Sequence, residues 1–597
     1  MSYRAPVADI LFAMAHEAGA DLDSKEGIYA DLGGGFAEAT LTEAGRFAEK
    51  VLTPLNRTGD KEGARINAGA VSAAPGFAEA YRQWREAGWN AIIGPSEFGG
   101  MGLPALLNTA CIELWAAANM AFSLCPLLTF GAIEAMHSHA AEPLKARYLG
   151  KLVSGEWTAT MNMTEPQAGS DLSGLKTRAE RQQDGTYKLF GSKIFITYGD
   201  HDMAENIIHF VLARLPDAPK GTRGISLFLV PKFLVNADGS LGARNDVYCI
   251  SLEHKLGIHA SPTCTMSYGD HGGAVGYLIG EENRGLACMF TMMNSARLNV
   301  GVQGVGVAER AFQHALAYAR ERRQGRLPGG TSEAMSPIVQ HPDVARMLMT
   351  MKAMTAAARA ICLMTAYAID RSHRDQDTAA RQEASERASL LTPAAKAFST
   401  DIANEAASLG IQVHGGMGYI EETGAAQFAR DARIAAIYEG TNGIQAIDLV
   451  QRKLPLAGGG AVRREIDDMR AAVQAAGEIN ASSFGDMEPC LADAVESLER
   501  ATAFMLEASA ARPLHALAGA APYVRLFALA RGGTALARGA LAAHRLATAG
   551  NGDPALPARI ATARFFAENI ATAAPALARE VMRGAESALA GAAVLSG

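Results

Sequence analysis

The hydrophobic period of this 597-residue chain changes twice, and that double change limits its architecture more than any other feature. Up to about residue 158 apolar side chains recur near every 3.6 positions, as in residues 36–55 and 77–87, with loops at Gly33-Gly34-Gly35 and Pro95 to Gly102. From Thr158 the period drops to two. Residues 187–197, 224–235 and 264–268 alternate in the manner of strands and are separated by Gly, Asp and Pro. From Gly285 to about Val450 the helical period returns, with long segments around 289–323, 343–371 and 385–409. Helices, then strands, then helices exclude the regular alternation that builds a parallel α/β sheet. The order predicts a mid-chain sheet domain held between helical domains.

Gly458-Gly459-Gly460 reads as a linker into a last, alanine-rich segment, 461–597, which holds 13 Arg and no Lys against 14 Asp plus Glu. Its Ala and Leu content suits close-packed helices, and its near-neutral balance disfavours a nucleic-acid-binding appendage. The whole chain, at net charge −7, gives no reason to expect nucleic acid as a partner either. Seven scattered cysteines with no CxxC suit a reducing compartment. Charged residues Arg4, Asp9 and Glu17 interrupt any signal-peptide core, and no uncharged apolar run approaches the roughly 20 residues of a membrane span. The expectation is a cytoplasmic protein with no membrane partner and, from fourteen histidines without ligand spacing, no metal.

Five stretches could carry chemistry. In Ile437-Tyr438-Glu439-Gly440-Thr441-Asn442-Gly443, Glu439 lies between an apolar run and a turn, and Asn442 or Thr441 could cap the helix that follows. A carboxylate held there is partly desolvated, which raises its pKa and suits a base. Met161-Asn162-Met163-Thr164-Glu165-Pro166 with Gly169-Ser170-Asp171 mixes soft methionines with hydrogen-bonding groups, as a flat heteroaromatic ring requires, and Phe195 and Thr197 share one side of a strand. Arg322 could reach a pyrophosphate, and Gln412 to Gly418 reads as backbone that approaches a ligand closely. Against these, no GxGxxG follows a strand. Gly301 to Gly306 sits in a helical pattern, where its glycines would permit close helix packing, so a Rossmann-type site is not expected.

Taken together, these segments resemble the acyl-CoA dehydrogenase family in order and approximate spacing over roughly residues 40–450. The resemblance implies an α+β multidomain chain: a helical N-domain (1–158), a middle antiparallel β-domain (159–284), a C-terminal four-helix-type bundle (285–455) and an additional helical domain (461–597). It implies FAD as cofactor and Glu439 as catalytic base. Met161, Met163, Thr164, Ser170, Phe195 and Thr197 match flavin-lining positions. Arg322, Gln340, His341 and Gln412 to Gly416, with Gly415 and Gly416, match positions that contact FAD across a subunit interface, and Thr441 and Asn442 match the adenosine half. Ser170, Asn294, Arg297 and Tyr438 match substrate positions.

Some positions depart from the family pattern. Phe195 stands where many members carry Trp, Met161 where an aromatic is usual and Asn294 where an acidic residue is common, and the Arg322 segment is one residue shorter. The segments 3–12 and 254–265 and the extra C-terminal domain are similar to the branch containing 3-methylmercaptopropionyl-CoA dehydrogenases. The implied reaction is α,β-dehydrogenation of an acyl-CoA, with an electron-transferring flavoprotein as acceptor and a homo-oligomer, preferably a dimer, as the working form. A general fatty acyl-CoA dehydrogenase, an acyl-CoA oxidase and a DNA-associated flavoprotein of the same fold are the alternatives.

Overall fold

Each change of hydrophobic period is met by a change of secondary structure. The structure, a computed structural model, describes residues 3–22, 24, 26–327, 334–479 and 481–596. The chain divides into two units, one of Phe47–Pro104 with Ala118–Ala296, the other of Met1–Arg46, Ala105–Ala117 and Arg297–Gly597.

The first unit contains an eight-stranded sheet. Its strands are β1 (Trp157–Asn162), β2 (Arg178–Arg181), β3 (Tyr187–Thr197), β4 (Asn206–Arg214), β5 (Ile225–Pro231), β6 (Val247–Leu252), β7 (Thr263–Tyr268) and β8 (Ala274–Ile279). They lie in the order β6-β7-β3-β8-β5-β4-β1, with β2 against β3 and β4. Pairing is antiparallel as expected except along β4, which β1 joins in parallel from Trp157↔Asn206 to Asn162↔Val211 and β2 touches in parallel at Arg178↔Arg214. The stretch carrying β2 and β3 separates β1 from β4 and is long enough for the crossover that a parallel pair needs. The sheet is strand-like by composition: β4 and β5 bury nearly every residue, so they read as continuous apolar runs rather than alternating ones. One core cluster joins Ile208, Phe210 and Leu229 to Leu149, Trp157 and Met292, and another joins Leu189, Phe228 and Val230 to Met266. A small hairpin, Arg65–Asn67 with Ala70–Ser72, has no counterpart in the sequence-based reading.

The second unit is helical among its described residues apart from an isolated bridge between Arg323 and Pro337. Its long members are α1 (Gly285–Glu321, which begins in the first unit), α2 (Pro342–Arg374) and α3 (Thr378–His414). These are followed by α4 (Asn442–Asp448), α5 (Gly460–Gly477) and α6 (Ala520–Thr548). The glycines of α1 act as helix-packing residues: a Cβ on Gly301 would stand 2.6 Å from Ala395 O, and one on Gly304 2.6 Å from Ser399 O. Helices α1 and α3 therefore touch backbone to backbone, which only glycine permits. Buried ion pairs join the helices. Arg359 of α2 holds Glu113 at 2.6 Å and Glu309 of α1 at 2.9 Å. The alanine-rich segment packs on the same bundle, where Arg387 of α3 and the fully buried Arg531 of α6 both grip Glu465 of α5. Among the described residues two helices, Met120–His139 and Pro342–Arg374, are long and apolar enough to cross a membrane, but most of their residues are buried inside the fold.

Candidate active site

Glu439 occupies a strained position. Its φ is +58°, in the left-handed region that costs an ordinary residue roughly 1–2 kcal/mol, and Gly440 follows at +85°. Thr441, not Asn442, caps α4, accepting from Ile444 N at 3.2 Å. The reversal between Ile437 and α4 thus turns on three residues, and the carboxylate projects from its tightest point.

The surroundings explain how the loop is held. Tyr438 Oη donates to Gln303 Oε1 of α1 at 2.6 Å. A Cβ on Gly440 would lie 2.7 Å from Gln445 Nε2 and 3.9 Å from Arg297 Nη2, so these two side chains fill the space behind the turn. Arg297 is buried there and faces Asp448 at 3.5 Å, with Arg452 on the other side of that carboxylate at 3.5 Å. Burial lowers the Arg297 pKa, against Asp448 and Glu439, which raise it. Glu439 Oε2 is sealed from solvent and has no hydrogen-bond partner among the described residues. Burial pushes its pKa up to about 6, and the fields of Arg297 and Lys396 oppose that rise without cancelling it. Such a group is a carboxylate at neutral pH with appreciable proton affinity, as a general base needs.

Asn442 is tied into the bundle. Its amide donates to Asp401 Oδ1 at 2.7 Å, Thr400 Oγ1 at 3.0 Å and Ala397 O at 3.1 Å, and accepts from Lys396 Nζ at 2.9 Å. No side-chain capacity is left for a ligand, so only its main chain could serve one.

In the sheet unit the expected flavin-lining residues gather around a buried ion pair that sequence reasoning missed. Glu165 accepts from Lys193 Nζ at 2.8 Å, Lys176 N at 2.7 Å, and Thr177 N and Oγ1 at 3.0 and 2.6 Å. Burial alone would raise the Glu165 pKa, but Lys193 and these donors outweigh it and hold it at about 2. Lys193 also donates to Met163 O at 3.1 Å, and Ile194 N to Thr164 O at 2.9 Å, which pins the 163–171 turn to β3. Beside Lys193 the register of β3 against β7 slips, and Phe195 takes a φ of +60° with 60% of its surface exposed. A bulge there turns an aromatic ring out of the sheet. Met161 is buried in β1, Thr197 is half-buried, and Ser170 is exposed on the turn.

Arg322 is separated in sequence from the adjacent Gln340 and His341 but comes toward them because residues 322–325 pair with 336–338: Ile338 N donates to Arg322 O at 2.8 Å and Gln324 N to Ser336 O at 3.0 Å. His341 Nε2 lies 2.7 Å from Gln324 O. Gln412, Gly415 and Gly416 are exposed, and a Cβ on either glycine would meet nothing within 4 Å. Asn294 is exposed as well. An outward aromatic ring beside a hydrogen-bonding turn, and the exposed Arg322 and Gln340 with the half-buried His341, suited to an anion, match the ring and pyrophosphate of FAD in chemistry.

Family models for the acyl-CoA dehydrogenase N-terminal, middle and C-terminal domains match residues 37–156, 160–270 and 283–454. A model described as acetyl-CoA dehydrogenase C-terminal like matches 465–591. A Ruegeria pomeroyi protein named 3-methylmercaptopropionyl-CoA dehydrogenase is 47% identical over 570 residues, 96% of each chain. A Syntrophomonas wolfei butyryl-CoA dehydrogenase is 38% identical over 70% of each. Caenorhabditis elegans ACDH-11, solved in complex with C11-CoA, shares the fold at a TM-score of 0.77 and 20% identity over 97% of this chain and 95% of that one. The chain belongs to the acyl-CoA dehydrogenase family. It is accordingly an FAD-dependent oxidoreductase acting on acyl-CoA thioesters.

Proposed function

We propose that the protein dehydrogenates 3-methylmercaptopropionyl-CoA between its α and β carbons, with Glu439 as the base. The observation that carries the chemistry is the unpartnered, sealed Oε2 of Glu439 on a left-handed residue, with its pKa raised to about 6. The substrate rests on the 47% identity, across nearly the whole length, to the Ruegeria protein of that name.

In this reading Glu439 removes the α-proton. The strain and the two side chains behind the loop, Gln445 and Arg297, keep the carboxylate aimed, so little reorganisation is needed when the proton moves. FAD, when bound, supplies the acceptor for the β-hydrogen and its electron pair. Met161, Met163, Thr164, Ser170, Phe195 and Thr197 would hold its ring, and the Lys193–Glu165 pair fixes their turn. Arg322, Gln340, His341, Gln412, Gly415 and Gly416 would meet the FAD of a second subunit, with Thr441 and the Asn442 main chain at the adenosine half. Met417, Tyr419 and Ile420, exposed at 49%, 87% and 43% directly after these glycines, support a homo-oligomer, for which a dimer is favoured. Tyr438, Ser170, Asn294 and Arg297 are assigned to the substrate side, Arg297 through the loop it backs. An electron-transferring flavoprotein is the assigned acceptor. Seven free cysteines support a cytoplasmic setting.

A second reading, straight-chain acyl-CoA, is favoured by the 38% identity to a butyryl-CoA dehydrogenase. Anaerobic titration of the holoenzyme with a panel of acyl-CoAs separates the two: the methylthio compound should bleach the flavin fastest. A strong preference for straight chains would overturn the substrate. Glu439→Gln should keep yellow, FAD-loaded protein and lose turnover by about a thousandfold or more; near-normal turnover would remove Glu439 from its role.

A further inference from the structure

Lys396 lies inside α3 with no exposed surface. A buried ammonium normally sits against a carboxylate. This one makes no ion pair among the described residues, and its Nζ donates instead to Asn442 Oδ1 at 2.9 Å. Asn442 in turn donates to Asp401 Oδ1 at 2.7 Å. The amide therefore bridges a cation and an anion of α3, its carbonyl toward the lysine and its NH2 toward the aspartate. It also stands three residues after Glu439, at the first position of α4.

We propose that Lys396 is a positioning residue for the base: through Asn442 it anchors the loop that carries Glu439, and its ammonium is a second internal counter-charge, beside Arg297, that favours the ionised carboxylate. The inference rests on the reading of Glu439 as the base. The charged groups facing Lys396 are Glu439, Asp401 and Arg297; those facing Glu439 are Arg297 and Lys396. Asp401 is faced by Arg525 and Glu405 as well as by Lys396. Burial lowers the Lys396 pKa to about 7 and Arg297 adds to the fall, while Glu439 and Asp401 oppose it. Arg297 already has Asp448 as a near neighbour at 3.5 Å, whereas Lys396 has no carboxylate in contact among the described residues. Both cations act on Glu439, Arg297 more strongly, and the field of Lys396 adds to it.

The test is the pH dependence of single-turnover flavin bleaching in the FAD-loaded enzyme with a saturating acyl-CoA. Lys396→Gln keeps a donor for Asn442 but removes the charge. Its acid limb should move up by about one pH unit, making bleaching about tenfold slower below the limb while the plateau changes less. Lys396→Arg keeps the cation and should leave the limb near its wild-type position. A limb for loaded Lys396→Gln that coincides with wild type would overturn the counter-charge, as would an upward shift in Lys396→Arg. Should Lys396→Gln fail to load FAD, Asn442→Ala tests the anchor: kcat should fall about ten- to a hundredfold with little change in KM, and an unchanged kcat would overturn it. Glu439→Gln run in parallel separates the two readings. If it is inactive while the Lys396→Gln limb stays put, the lysine inference alone fails; if it turns over normally, both fail.

Discussion

Lys193 Nζ stands 2.8 Å from Glu165 Oε1, and the two side chains are 0% and 3% exposed. This pair fixes the turn that bears Met163, Thr164 and Ser170 to the strand that bears Phe195 and Thr197. Lys193→Met would leave a buried carboxylate without its cation, at a cost of about 3–5 kcal/mol. Urea denaturation at pH 7.5 should show that loss, together with weaker FAD retention. In the wild type Glu165 has a depressed pKa, so its contribution to stability is present above the ordinary carboxylate range near 4.5 and is lost as pH falls toward about 2. Without the lysine, burial raises the Glu165 pKa, so the deficit of the variant should shrink when the titration is repeated near pH 5.

The base sets both the pH dependence of activity and a local cost in stability. Glu439 must be ionised to accept a proton, so the bleaching rate should fall as pH drops through about 6. Its folded pKa lies above the ordinary 4.5. The sign for stability is therefore opposite to that of Glu165: its contribution is fully present below about 4.5 and is lost as pH rises through about 6. Glu439→Gln should melt higher than wild type at pH 8, by the equivalent of about 1–2 kcal/mol, with no gain at pH 4. Differential scanning at the two pH values checks this.

Gly440→Ala should damage activity more than folding. Its φ of +85° costs an alanine about 1–2 kcal/mol, and the added Cβ meets Gln445 Nε2 at 2.7 Å, where Gln445 is fully buried and has no space to yield. The relief is a shift of the Glu439 backbone. We expect retained FAD and a kcat lower by about tenfold or more, measured by steady-state turnover.

The alanine-rich segment is bound to the bundle by charge as well as by packing. Arg531→Met would leave Asp468 with Arg538 and Glu465 with Arg387 as partners. The expected loss is about 1.5–3 kcal/mol, because both carboxylates keep an arginine, and it should appear as an earlier thermal transition of the whole helical unit, since α5, α6 and α3 share this network. A chain cut after Gly459 should be poorly soluble, since α2 and α3 would expose the faces that α6 covers. Soluble, FAD-loaded truncated protein would argue against that dependence.

Much of this was legible along the chain. Period alone found the long helices: the segment read at 343–371 became Pro342–Arg374, while the one read at 385–409 fell short at both ends of Thr378–His414. It also placed the strand Tyr187–Thr197 at its observed bounds. The glycines at 301–306 were read as packing residues, and they are. These succeed because helix and strand periods, turn glycines and caps are local properties. The expected site residues were found by resemblance of motif, and the structure draws Arg322, Gln340 and His341 together through main-chain pairing.

The sequence by itself determined the order of elements, the glycine-permitted close packing and the candidate base. Tertiary structure alone decided what surrounds that base. Lys396 and Lys193 are single basic residues in apolar stretches, and nothing nearby in sequence says whether such a lysine reaches water or is buried. Lys396 meets Asn442 across 46 positions and Lys193 meets Glu165 across 28, so their partners exist only once α3, α4 and the β1–β3 segment have packed. A proton affinity depends on desolvation and on charges a few ångströms away. Glu439 could be picked out from its loop, but the chain had to fold to move its pKa to about 6.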